Sequence, residues 1–136
     1  MLGNREPAIY GNTSLDEIRA DCETHASGIG AAVDFRQSNN EAEMIDWIQA
    51  APESADGIII NPAAFTHTSI AILDALVLTE IPVIEIHISN IFRRESFRQH
   101  SYVSMGATGI ISGFGASGYI MAIDALVNLL AAKKEF

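Results

Sequence analysis

The chain has 136 residues, 49% of them hydrophobic, which suits one packed domain covering residues 1–136. Its net charge is −9 and its pI is near 4.7, which argues against nucleic acid or an anionic membrane surface as a partner. The single cysteine, Cys22, rules out an internal disulfide and fits the cytoplasm. No apolar run is long enough to span a membrane, and no stretch reads as a signal peptide.

The first stretch, MLGNREPAIYGNTS, reads as a loop punctuated by Gly3, Pro7 and Gly11 and carrying Arg5 and Tyr10. Ser14-Leu15-Asp16-Glu17 reads as a capping box that opens a helix. Leu15, Ile18, Cys22 and Ala26 then recur at helical spacing, and Gly28 and Gly30 stop the helix. AAVDFR at 31–36 predicts a short strand. Asn40 starts a second helix with Met44, Ile45, Trp47 and Ile48 on its apolar side, and Pro52 follows its end.

GIII at 57–60 has the continuous branched character of a buried parallel strand. A loop at 61–67 leads to a helix over roughly 69–79, and PVIEIHI at 82–88 is a further strand. A polar segment at 89–105 precedes a strand at 108–112 and a long apolar helix at about 117–132. Strands alternating with helices imply a doubly wound parallel sheet. Four strands are recognisable, whereas a flavodoxin-like order needs five, so the first strand is missing from this reading.

Ligands of open α/β sheets bind beyond the carboxyl ends of the strands. Three clusters fall there. The first is Asn61 to Ser69 (NPAAFTHTS), with His67, which a bland reading makes a helix-start residue bonded to backbone. The second is EIHISN at 85–90, where alternation puts Glu85, His87 and Ser89 on one side. An ionisable pair on a buried strand costs several kcal/mol unless it is paired or used, so function is the better reading. The third is Arg94 and Arg98, a solvated face if they act alone. They stand with Arg93 in a short basic window, which suits a small anionic ligand. His25 reads as a surface residue and Cys22 as packing.

Metal binding is a poor reading, because the histidines lack ligand spacing and there is no CxxC. No G-x-S-x-G elbow supports a serine triad. GFGASG at 113–118 matches GxGxxG, but no second strand with its acid follows, so it reads as a tight strand-to-helix turn. A flavin or phosphate module would need a hydroxyl-rich loop after the first strand, and none is visible.

Taken in order, LGNREPAIYG, VDFRQSN, EAEMIDWI, IIINPAAFTHTS, PVIEIHISN, FRQHSYVS and ATGIISGFGASGY resemble the type II 3-dehydroquinate dehydratases. The resemblance implies a flavodoxin-like fold, trimers that assemble into dodecamers, and no metal or cofactor. It implies dehydration of 3-dehydroquinate to 3-dehydroshikimate by anti elimination through an enolate, in aromatic amino-acid synthesis or quinate breakdown. By that resemblance Tyr10 is the base, activated by Arg5, on a lid that also includes Arg94. A guanidinium about 4 Å from the phenol is worth roughly 4 kcal/mol at an effective dielectric of 20, enough to make a phenolate accessible. His87 is the general acid and Glu85 orients it. Ser89 and the Ile88 N–H grip the substrate carboxylate, while Asn61, His67 and Arg98 contact ring hydroxyls. Asp74 reaches a neighbouring subunit's site.

Two departures stand out. The family's opening strand and its G-P-N-L-N segment, with an active-site asparagine, are absent, so the expectation is an N-terminally truncated sequence. Its alternative is a catalytically impaired, enzyme-like oligomeric subunit. The second departure is Ala63-Ala64, where the family pattern leads one to expect a glycine.

Overall fold

The structure, a computed structural model, describes residues 14–63, 69–93 and 101–134. Arg5, Tyr10, His67, Arg94 and Arg98 lie outside the described residues.

Helix α1 spans Leu15–Gly28, and the Ser14 hydroxyl accepts the Glu17 N–H at its start, as the capping pattern predicts. Helix α2 spans Glu41–Ala50, with the Asn40 side chain accepting the Glu43 N–H. A short turn at Ala51–Glu53 leads to strand β1, Ile58–Ile60. Helix α3, Ile70–Leu78, is capped by Ser69, whose hydroxyl accepts the Ile72 N–H at 2.9 Å. Strand β2 is Val83–His87, strand β3 is Gly109–Ser112, and helix α4 runs Ser117–Lys134. Within the polar segment, Ile91–Arg93 and Val103–Gly106 form single helical turns. No described helix is long and apolar enough to cross a membrane.

The strands form a parallel sheet in the order β1-β2-β3, with Ile60 beside Glu85 and His87 beside Ser112. Alternation divides β2 cleanly. Ile84 and Ile86 pack with Ala122 of α4, whereas Val83 joins Ile48, Ile60, Ile72, Leu76 and Val103 on the α2/α3 side. Helices thus cover both faces, which is the doubly wound α/β arrangement. All five β2 residues are buried, so the polar Glu85 and His87 lie inside the α2/α3 layer. Cys22 is core packing between α1 and α4, and burial followed by the charges of Asp21 and Glu23 pushes its thiol up.

The expected strand at 31–36 does not form. Ala31, Val33 and Phe35 are half-buried while Ala32, Asp34 and Arg36 are exposed, so the burial has a strand's period of two. Phe35 sits 6.2 Å from the Tyr119 ring, and the Arg19 guanidinium lies 5.4 Å over it. What is lacking is a ladder. A strand exists only when a neighbour takes its N–H and C=O groups. Among the described residues β1 pairs with β2 alone, and no segment pairs with 31–36. In a flavodoxin-like order the first strand would lie between 31–36 and β1. The side chains therefore hold their inward and outward places without the hydrogen bonds.

Candidate active site

Three loops meet at the carboxyl ends of the strands. After β1 comes Asn61, whose side chain works in two directions. Its Nδ2 donates to the Tyr119 hydroxyl at 3.1 Å, and its Oδ1 accepts the Ala63 N–H at 3.1 Å. This turn holds Ala63 at φ 52°, in the left-handed region where glycine is at ease, so the absence of glycine noted above is a real local strain. An L residue there costs about 1–2 kcal/mol. Pro62 beside it is fully buried and anchors the loop.

At the end of β2 the chain turns sharply, and the glycine turn of 113–115 folds over it. The Gly113 N–H donates to the His87 carbonyl at 3.1 Å and the Gly115 N–H to the Ile88 carbonyl at 2.9 Å. Gly113 and Gly115 take φ of 97° and 62°, which explains why this turn is built from glycine. It is a strand-to-helix turn, as its sequence suggests. Ser112 donates to the Ser89 carbonyl at 3.2 Å and so ties β3 to the second residue after β2. Ile88 is buried and Ser89 is half-buried at the sheet's edge.

The centre is the pair of Glu85 and His87. Glu85 is 0% exposed and His87 5%. His87 Nε2 and Glu85 Oε2 are hydrogen-bonded, which leaves Nδ1 as the other reactive nitrogen of the ring. The Ser101 hydroxyl donates to Glu85 Oε2 at 3.0 Å, and the Ser104 hydroxyl to Oε1 at 2.7 Å. Burial pushes the Glu85 carboxyl up. Hydrogen bonds from His87 and Ser104, the charge of His87 and the bond from Ser101 outweigh it, and the carboxyl titrates below its ordinary range. A buried carboxylate so satisfied can hold an imidazolium in place, which is what a general acid requires.

Glu85 and His87 are thus hydrogen-bonded to each other at the end of β2, with Ile88 and Ser89 following them, and Asn61 stands just beyond the end of neighbouring β1. Asp74 is not among them: it is exposed on α3, whose buried residues are Ile72, Ala75 and Leu76. The sequence reading missed Ser101, Ser104, Ser112 and Tyr119. The available signal was the buried Glu85, which demands donors, with two serines three apart in HSYVS to supply them on one side of a turn. A groove of about 200 Å³ between α1 and the start of α4 is lined by Ile18, Asp21, Cys22 and Ser117, holds no acid–imidazole pair, and is not this site.

Comparison with known proteins gives a consistent result. The family profile described as Dehydroquinase class II matches residues 1–127. The chain is 55% identical over 132 residues to the 3-dehydroquinate dehydratase of Caulobacter vibrioides, covering 97% of this chain and 90% of that protein. It is 52% identical over 124 residues to 3-dehydroquinate dehydratase 2 of Pseudomonas aeruginosa, covering 91% of this chain and 84% of that one. The crystal structure of type II dehydroquinase from Propionibacterium acnes superposes with a TM-score of 0.89 at 46% identity, over 93% of this chain and 88% of that one. A 3-dehydroquinate dehydratase-like protein from Bifidobacterium longum superposes at 0.71 with 39% identity, over 86% and 89% of the two chains. With a flavodoxin-like α/β sheet, a buried acid–imidazole pair at its carboxyl edge, and these matches along its length, the chain belongs to the class II dehydroquinase family.

Proposed function

We propose that this chain dehydrates 3-dehydroquinate to 3-dehydroshikimate by anti elimination through an enolate. The observation that carries this reading is the buried, hydrogen-bonded Glu85–His87 pair at the carboxyl end of β2. The reaction removes a proton alpha to a ketone, holds the enolate and expels a hydroxyl. Tyr10 is the base and Arg5 keeps its phenolate accessible through charge. His87 protonates the departing hydroxyl from Nδ1, so the C–O bond breaks as an O–H bond forms and water leaves. Glu85 orients the ring. The Ile88 N–H and the Ser89 hydroxyl grip the substrate carboxylate. Asn61, His67 and Arg98 contact ring hydroxyls, and Arg94 is a second basic residue of the lid.

The chain works as a homo-oligomer of trimers assembling to a dodecamer, in the cytoplasm. The exposed face of α3 supports assembly, since Ile70, Val77 and Leu78 are 57%, 62% and 78% exposed around Asp74, with Met105 at 67% nearby. Asp74 on that face reaches a neighbour's site.

The test is conversion of 3-dehydroquinate to its conjugated enone, read by ultraviolet absorbance. Tyr10→Phe is expected to lose about 10²–10⁴-fold in kcat with substrate binding retained. Unchanged turnover in that variant removes Tyr10 from the role. A second reading, a catalytically impaired assembly subunit, is favoured by 31–36 and the outer edge of β1, neither of which has a strand partner there among the described residues. A chain that assembles fully yet forms no enone decides for it.

A further inference from the structure

Resting on that reading, a further inference concerns the carboxylate behind the acid. Glu85 has no solvent exposure, so each oxygen needs donors from the protein. Oε2 receives His87 and Ser101, and Oε1 receives Ser104. The Ser101 oxygen also accepts the Ser104 N–H at 3.2 Å, which fixes the two serines relative to each other at the start of the 103–106 turn. That turn sits close against α3 because position 106 is glycine: a Cβ there would lie 2.9 Å from the Leu76 Cβ. Val103, fully buried, anchors the turn in the same core.

We propose that Ser101 and Ser104 are positioning residues for the acid, a two-point clamp that keeps Glu85 ionised and aimed at His87 while the imidazole gives up its proton. A single donor would let the carboxylate rotate about its own axis. Donors on both oxygens hold its plane, and with it the direction of His87. Hydrogen bonds from hydroxyls favour the ionised carboxyl and so oppose the burial that would neutralise it. Among the described residues, the groups facing Glu85 fit this role. His87 is the titratable group contacting it from β2, Ser101 and Ser104 come from the turn, and its register partners are Ile60 on β1 and Ile110 on β3. Tyr102 lies between the serines in sequence, and Asp74 on α3 faces out.

The test uses the full chain and three variants: Ser104→Ala, Ser104→Thr and the double variant Ser101→Ala with Ser104→Ala. Two readouts run in parallel. One is the pH profile of kcat for 3-dehydroquinate. The other is the Glu85 carboxyl titration followed by carbon-13 NMR, which needs no turnover. Ser104→Ala is expected to lower kcat roughly tenfold, with KM little changed, and to move the acid limb of the profile and the Glu85 titration up by about one pH unit. The double variant moves both further, and Ser104→Thr, which keeps the hydroxyl, restores both. If the alanine variants lose only thermal stability, with the limb and the titration unmoved, the clamp is overturned and the serines are structural. If the unmodified chain forms no product, the proposed activity fails, and the NMR titration still decides the clamp.

Discussion

Among the described residues, two histidine–carboxylate pairs could hardly be placed more differently. His87 and Glu85 are two residues apart on one central strand, sealed beneath α3 and the 103–106 turn. His25 and Asp124 are far apart in sequence and meet across α1 and α4 at 2.6 Å, with side chains 31% and 51% exposed. In water an ion pair exchanges one set of partners for another and yields little net stability. In the sheet interior the same chemistry has no solvent to fall back on, so every lone pair must be met from the protein and loss of one member strands the rest. The comparison teaches that burial, more than the identity of the pair, decides whether it can serve as machinery.

The contrast can be broken in four ways. The largest effect is expected on turnover. His87→Ala loses about 10²–10⁴-fold in kcat if the buried imidazole is the acid, whereas His25→Ala leaves kcat unchanged. Equal losses in the two variants would erase the distinction. Next is stability. Glu85→Ala leaves His87, Ser101 and Ser104 without their common acceptor and costs about 3–5 kcal/mol by urea denaturation. A cost near zero would mean that the site relaxes freely.

The third is pH. The Glu85 carboxyl is held below its ordinary range in the folded chain, so the unfolded chain takes up that proton first. Its contribution is complete above the unfolded carboxylate value of about 4.3 and is lost as pH falls through the lower folded value. Denaturation midpoints measured through that acid window should fall in the unmodified chain and flatten in Glu85→Gln. The smallest effect belongs to the surface pair. Asp124→Ala should cost about 0.2–1 kcal/mol, and the difference should shrink in high salt.

Much of this was legible from the residues. Ser14, Asn40 and Ser69 mark helix starts because their side chains satisfy N–H groups a few residues away, a purely local matter. GIII and PVIEIHI read as buried strands because they are apolar runs of strand length, and Glu85 and His87 were conspicuous as ionisable intruders in one of them. The segment 31–36 shows the other side. Its alternation is written in the chain and is kept in the fold, but the ladder depends on a neighbouring strand that no local pattern can supply.

The site divides along the same line. Residues on or next to β2, and Asn61 after β1, could be found because strand order places carboxyl ends together. Ser101 and Ser104 could not be assigned, because hydroxyls in a polar segment are ordinary until a fold brings a buried carboxylate against them. Tyr119 likewise read as a helix residue until its hydroxyl met Asn61 at the end of β1. The order of residues thus carried what depends on neighbours along the chain: element type, caps, turn glycines, and the presence of an acid and an imidazole on one strand face. Folding in three dimensions decided which groups meet, since hydrogen bonds act over about 3 Å whatever the sequence separation, and here only packing the 103–106 turn onto α3 closed the gap between position 85 and positions 101 and 104.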